Sequence, residues 1–327
     1  MAKRLNWGIL GTGWIADLFV KDLQLTGHQV IAVGSRTQES ADRFAARFGI
    51  SRAHASYESL AADPEVDIIY VATPHPLHAE NARLALTACK HVLIEKPFTL
   101  NAAEARGIVD LAKARNLVVL EAMWTRFLPH MRRIRDIVAS GALGTVYSVV
   151  ADHTRDLPDD PAHRLNALEL GGGALLDLGI YPISLAWDIL GQPQEIVSMA
   201  RFKATGADAE VATIFRHGGG GMSTSISSSD NGGRNIASIL GTDGRIDIDA
   251  TWYEPTTFRV IDSQGKVIET YVSDVPGRGM QFQADEIERL VTTGALTGDI
   301  LPVEQSVAIM QTLDTIRAQI GLRYPGE

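Results

Sequence analysis

Three side chains of this 327-residue chain have types and spacing suited to proton transfer: Lys96, Asp177 and Tyr181. Lys96 lies in Glu95-Lys96-Pro97, straight after the apolar run His91-Val92-Leu93-Ile94, at what reads as the carboxyl end of a strand. Asp177 and Tyr181 are four apart on a helix expected over 174–190, so they share one face. Taking a hydride from an alcohol carbon also requires removing the hydroxyl proton. A tyrosinate accepts such a proton, although a free phenol ionises only near pH ~10, and a neighbouring lysine cation favours the ionised phenol. Each residue alone has a plainer reading. A tyrosine in an apolar helix is more often packed with its hydroxyl satisfied, and an aspartate there can be an ordinary helix-face hydrogen bonder. Lys96 is the hardest to assign to packing, because a buried run precedes it and a proline follows.

A departing hydride needs an acceptor, and the start of the chain offers a place for one. Leu5-Asn6-Trp7-Gly8-Ile9-Leu10 reads as a buried strand, and Gly11-Thr12-Gly13-Trp14-Ile15-Ala16 follows as a G-x-G-x-x-A turn. Gly11 permits the tight turn, Gly13 lets backbone approach a pyrophosphate, and Ala16 lets the helix lie close on the strand. The helix opening at Trp14 and Ile15 presents backbone N–H groups and a positive dipole end to phosphates. Such a turn also simply connects strands to helices, so it is weak by itself. The second strand, over 29–33, ends in Gly34-Ser35-Arg36. An NAD site usually places Asp or Glu there; here Ser35 offers a hydroxyl and Arg36 a planar cation suited to a 2′-phosphate. NADP is therefore favoured over NAD, against the plainer reading of Arg36 as a surface arginine.

Helices over 16–25, 39–48, 79–88 and 102–114 alternate with apolar strands over 67–72, 91–94 and 117–120, which predicts an α/β domain with a parallel, doubly wound sheet. The loop Thr73-Pro74-His75-Pro76-Leu77-His78 falls at a strand's carboxyl end, a usual ligand position. His75 and His78 are expected on the nicotinamide side. No cysteine or carboxylate accompanies them, so no metal is assigned. We expect an NADP-binding Rossmann domain over 1–122 and an α+β substrate-binding and oligomerisation domain over 123–327, with an open, mostly antiparallel sheet. Trp124, Arg126 and Phe127 begin the second domain, where an aromatic face would stack on a sugar or ring; packing at a domain seam explains them equally. Arg164 precedes the run Gly171-Gly172-Gly173 and either meets substrate oxygen or cofactor, or is a surface arginine. In Met222-Ser223-Thr224-Ser225-Ile226-Ser227-Ser228-Ser229, hydroxyl residues fall on one face, expected to be wet or to meet a twin sheet.

A net charge of -9 with no basic stripe argues against nucleic acid as a partner. No run approaches a membrane span, so no membrane partner is expected. Met1-Ala2-Lys3-Arg4 is basic, but the glycine fingerprint follows at once and no cleavable leader is expected. The single cysteine, Cys89, excludes an intramolecular disulfide and reads as a small packed residue near a helix end. A cytoplasmic protein is the simplest expectation.

The glycine fingerprint, Thr73-Pro74-His75-Pro76-Leu77-His78, Glu95-Lys96-Pro97 and Gly171-Gly172-Gly173-Ala174-Leu175-Leu176-Asp177-Leu178-Gly179-Ile180-Tyr181 together resemble the glucose–fructose oxidoreductase and inositol dehydrogenase superfamily. Glu121-Ala122-Met123-Trp124-Thr125-Arg126-Phe127-Leu128-Pro129 is similar to the dimeric dihydrodiol dehydrogenase branch, which includes NADP-dependent D-xylose dehydrogenases. The similarity continues to Ile316-Arg317-Ala318-Gln319-Ile320-Gly321. Many members of the wider superfamily carry Asn where this chain has His75, and His where it has Tyr181; both departures look like the branch and weaken an inositol dehydrogenase reading. The resemblance implies that Lys96 and Tyr181 are catalytic, that Arg36 meets the 2′-phosphate, and that the C-terminal sheet makes a homodimer or larger assembly. On this footing Tyr181 is the acid/base, Lys96 its electrostatic partner and Asp177 a substrate-hydroxyl contact, while Glu95 orients Lys96 or touches the nicotinamide ribose. The expected reaction is NADP-dependent hydride transfer to or from a sugar or vicinal diol, a sugar being favoured. The alternatives are an NAD-preferring polyol dehydrogenase and a non-catalytic cofactor sensor; retention of both Lys96 and Tyr181 argues against the sensor.

Overall fold

Short apolar runs closed by glycine and turn residues build the first sheet. In the computed structural model, which describes residues 4–327, β1 (Asn6–Leu10), β2 (Gln29–Gly34), β3 (Arg52–His54), β4 (Ile68–Val71), β5 (His91–Glu95) and β6 (Val119–Ala122) pair in the order β3-β2-β1-β4-β5-β6. Every pairing is parallel. Met1, Ala2 and Lys3 of the basic start lie outside the described residues. α1 (Trp14–Thr26), α2 (Gln38–Phe48), α3 (Tyr57–Ala61), α4 (His78–Thr87) and α5 (Ala102–Ala114) intervene between the strands. Thr37, Ser56 and Asn101 accept first-turn N–H groups and so start α2, α3 and α5. Gly27 and Gly49 stop α1 and α2 in the left-handed conformation. Strand order reverses between β1 and β4, and the carboxyl ends of the strands at that point are where this architecture binds ligands.

The second sheet follows α6 (Pro129–Ala139). It consists of β7 (Val146–Thr154) and, after α7 (Ile180–Leu190), of β8 (Pro193–Phe202), β9 (Asp208–His217), β10 (Met222–Ser228), β11 (Ala237–Gly241), β12 (Gly244–Ile248), β13 (Phe258–Asp262) and β14 (Val267–Tyr271). The order is β14-β13-β12-β11-β7-β10-β9-β8. It is antiparallel throughout except for the parallel pair β7 and β10. α8 (Gln281–Thr293) and α9 (Val303–Ile320) close the chain.

The hydroxyl face of β10 lies opposite to expectation. Ser223, Ser225 and Ser227 point inward and are buried, while Met222 and Ile226 are exposed. The reason is steric: Gly179 lies so close to the sheet that a Cβ there would stand 2.9 Å from Ser227 Oγ. Small side chains let a helix approach a strand, and the larger apolar ones fall to the outer face. Cys89 also departs from expectation. It is exposed, with φ 62°, just beyond α4, rather than packed.

The chain forms two compact units, residues 1–127 with 276–307, and 128–275 with 308–327. The break thus falls at Phe127/Leu128, and α8 with the first turns of α9 belongs to the Rossmann unit, where the sequence reading had assigned all of 123–327 to one domain. Asp22 explains the return of the chain: its carboxylate takes the N–H groups of Arg278 and Met280, each at 3.0 or 2.9 Å, ahead of α8. The stretch Leu168–Leu190 has the length and apolarity of a membrane span, with a mean hydropathy of 1.3, which the sequence reading did not anticipate. In the fold this stretch is largely buried, the mark of a core helix.

Candidate active site

The first unit holds the nucleotide cradle. Gly11 has φ 106°, and a Cβ there would press on the Ala72 carbonyl, so β1 and β4 can run side by side only past a glycine. Gly13 has nothing within 4 Å of where a Cβ would sit, and it starts α1 without any side-chain cap. The first-turn N–H groups of Trp14 and Ile15 therefore face an open approach, as a pyrophosphate requires. Thr12 Oγ1 lies 3.3 Å from Ser35 Oγ, which links the glycine turn to the end of β2. Arg36 beyond it is exposed, and among the described residues no carboxylate pairs with it. Its charge reaches Tyr57, opposing the upward push of burial on that phenol. A free guanidinium in place of the usual acid fits a ribose carrying a 2′-phosphate.

Behind the cradle, the loop after β4 is tied to the turn after β5. His78 is fully buried, with Nδ1 2.8 Å from the Pro97 carbonyl and Nε2 2.9 Å from the Thr73 carbonyl. Asn81 donates to Thr73 Oγ1 at 3.1 Å. His75 is buried and meets His78 edge-on, ring centroids 5.7 Å apart, while Pro74 is exposed. His78 thus acts on the backbone of the site from within the protein. Lys96 is half-buried; its N–H donates to Glu95 Oε2 at 3.2 Å, and the Tyr70 hydroxyl donates to Glu95 Oε1.

Of the residues expected at the start of the second domain, Phe127 is fully buried and Trp124 nearly so. The buried Arg126 donates to the Ile300 carbonyl at 2.9 Å and to Gln305 Oε1 at 2.7 Å, which ties it to the returning segment 300–305. Arg278, which no local motif marked, lies over two indoles, 5.1 Å from the Trp124 ring and 5.9 Å from that of Trp14, the latter 67% exposed.

In the second unit Asp177 and Tyr181 stand on a π-helical turn, Leu175–Gly179, that runs into α7. Two devices fix where this segment begins. The buried Asp208, first residue of β9, accepts the Leu175 N–H at 2.6 Å. Gly173, with φ 133°, has no space for a Cβ, which would collide with the same carboxylate. Burial pushes the Asp208 carboxyl up to about 7, against the backbone N–H groups that hold it. Around Tyr181 lie two further rings. His153 meets it edge-on at 4.9 Å and stacks on Tyr253 at 3.8 Å, and Tyr253 is 5.3 Å from Tyr181. Burial raises the Tyr253 phenol to about 12, opposed by Arg155, whose Nη1 is 3.3 Å from its hydroxyl. Arg164 pairs with Asp177 at 3.4 Å, with its side chain partly open to solvent. The sequence reading missed His153, Asp208 and Tyr253, since each comes from a strand or loop remote from the helix it supports.

Residues 5–123 match the oxidoreductase family with an NAD-binding Rossmann fold, and residues 131–247 match the GFO/IDH/MocA C-terminal domain. The chain is 35% identical to D-xylose 1-dehydrogenase (NADP(+)) of Hypocrea jecorina, over 98% of this chain and 93% of that protein. It is 34% identical to trans-1,2-dihydrobenzene-1,2-diol dehydrogenase of Mus musculus, over 98% of each. A 3-ketoreductase from Actinomadura kijaniata, solved with NADP and TDP-benzene, has the same fold with a TM-score of 0.86 at 25% identity, over 97% of this chain and 98% of that one. With the fingerprint cradle, the Glu95-Lys96-Pro97 turn and the Asp177–Tyr181 segment all in place, the chain belongs to the GFO/IDH/MocA family of oxidoreductases.

Proposed function

We propose that the protein is an NADP-dependent dehydrogenase of sugars or vicinal diols. The observation that carries the reading is full-length similarity, at 34–35% identity, to enzymes named for D-xylose and for a trans-dihydrodiol, in a chain that carries both Lys96 and Tyr181. Two vicinal hydroxyls are common to those substrates. In this reading the first unit holds NADP through Gly11, Gly13, the α1 N-terminus, Ser35 and Arg36, and the second unit holds the substrate. NADP⁺, when bound, accepts the hydride of the carbinol carbon. Tyr181 takes the hydroxyl proton, Lys96 holds the reacting oxygen and favours the ionised phenol, and Asp177 with Arg164 accepts and donates to the neighbouring hydroxyl. The reverse direction returns the proton from Tyr181 to the carbonyl oxygen. The test is absorbance of reduced cofactor with NADP⁺ or NAD⁺ against a panel of aldoses and trans-diols. Turnover with NADP⁺ on a member of that panel is expected.

The same proposal extends to assembly. On the outer face of the second sheet, Val150, Ile214, Val197, Ile226 and Met199 lie on adjacent strands and are exposed, Val197 at 66% and Met199 at 77%. Ion pairs Arg216–Glu195 and Arg201–Asp230 lie at its margin. Such an apolar field with a charged rim suits a second copy of this chain, as the family resemblance implies.

A further inference from the structure

The turn that carries Lys96 has two backbone donors, the N–H groups of Lys96 and Phe98, on either side of Pro97, which has none. Both end on buried carboxylates. Lys96 N–H donates to Glu95 Oε2 at 3.2 Å, and Phe98 N–H donates to Glu121 Oε1 at 3.1 Å. Glu121 sits in β6 opposite Ile94 of β5 and is 1% exposed. A carboxylate is not buried so deeply without partners. Those facing it come from every side: the charge of Lys96 beyond β5, the charge of Arg126 beyond β6, and the Ser306 hydroxyl of α9, which faces it outside good hydrogen-bond geometry. The proposed chemistry leaves Glu121 without a task, although it is a buried acid that touches the Lys96 turn from the neighbouring strand.

We infer that Glu121 is a positioning residue for Lys96, fixing the far side of the Lys96–Phe98 turn through the Phe98 N–H and adding its own charge to those the Lys96 amine meets. Its consequence for turnover rests on the reading of Lys96 given above; the coupling of the two side chains does not. Burial pushes the Glu121 carboxyl up to about 7, while Ser306, the Phe98 N–H, Arg126 and Lys96 pull it back. The carboxyl is therefore neutral below this range and charged above it. Only the charged form favours the Lys96 ammonium.

Competitive acetylation of Lys96 in the cofactor-free protein, read by peptide mass spectrometry across pH 5.5 to 9, tests this directly. In the unaltered protein the Lys96 profile should show an inflection near pH 7 besides the amine's own titration. Glu121→Gln keeps an acceptor for the Phe98 N–H and removes the charge. It should abolish that inflection, speed Lys96 labelling at pH 8 about threefold, the equivalent of half a pKa unit, and leave labelling below pH 6 unchanged. If the variant does not fold, the unaltered protein decides the matter, because a Lys96 profile without the inflection overturns the inference. Superimposable profiles in the two proteins overturn it as well. The labelling needs neither cofactor nor turnover, so an inactive protein would contradict the dehydrogenase reading and leave this coupling standing.

Discussion

The rings of His153 and Tyr253 pack around Tyr181, the proposed acid/base. Tyr181→Phe should lower kcat by roughly 10²- to 10⁴-fold, the usual worth of a positioned acid/base, while fluorescence titration shows NADP⁺ binding unchanged. Full turnover by this variant would remove Tyr181 from the mechanism. Arg36 is the residue proposed to meet the cofactor's 2′-phosphate. Losing a charged hydrogen bond to phosphate costs about 1.5–3 kcal/mol, so Arg36→Glu should raise the KM for NADP⁺ by roughly 10- to 100-fold and leave that for NAD⁺ nearly unaltered. Equal losses with both cofactors would show that Arg36 does not read the 2′-phosphate. These residues could be singled out because what marks them is local: a glycine fingerprint, a strand end, a spacing of four. Trp124, Arg126 and Phe127 show the limit of such reading. Their types suited a sugar, but Phe127 and Arg126 are buried, and Arg126 bonds a segment almost two hundred residues away.

At the scale of elements, two helices are set in place by carboxylates that no sequence window contains. Asp208 holds the start of the segment bearing Asp177 and Tyr181. Asp208→Ala should cost about 1–2 kcal/mol as a lost helix cap and lower kcat more than it changes substrate KM, measured by denaturant unfolding and steady-state kinetics. A variant with normal kcat and lowered stability would leave Asp208 a purely structural role. The glycine run announced some close approach, but its partner comes from a strand further along the chain and could not be read from spacing. The π turn was equally hidden, since a single extra residue per turn leaves the apolar pattern almost as an α-helix would. Across the first unit, His28 follows α1 and meets α8. Burial would lower its pKa, but Asp285 at 3.3 Å and Glu288 at 2.8 Å reverse this and raise it to about 9. The folded-state value lies above the ordinary value of 6.5, so the contribution to stability is whole below pH 6.5 and is lost as pH rises through 9. Thermal unfolding between pH 6 and 9.5 should show a fall in midpoint that His28→Gln flattens; parallel curves would refute the clamp.

For the molecule as a whole, alternation of strands and helices made the parallel sheet legible, and the run of strands after α7 made the mostly antiparallel sheet legible. What alternation cannot reveal is which face of β10 looks inward, because serine and isoleucine exchange their usual places once Gly179 comes close. The apolar face that results is the one proposed to meet a second copy of the chain. Val197→Glu with Met199→Glu should convert the assembly to monomers in light scattering, with the far-ultraviolet spectrum unchanged; an unaltered mass would move the interface elsewhere. The proposed function gives NADP the cradle of one unit and gives the substrate the tyrosine of the other. The direct measurement is hydride transfer itself, followed as absorbance of reduced cofactor over a panel of aldoses and trans-diols. The account predicts turnover with NADP⁺ on a sugar or diol, weaker with NAD⁺, and abolished by Lys96→Ala. Tight NADP(H) binding with no hydride transfer across the panel would contradict it.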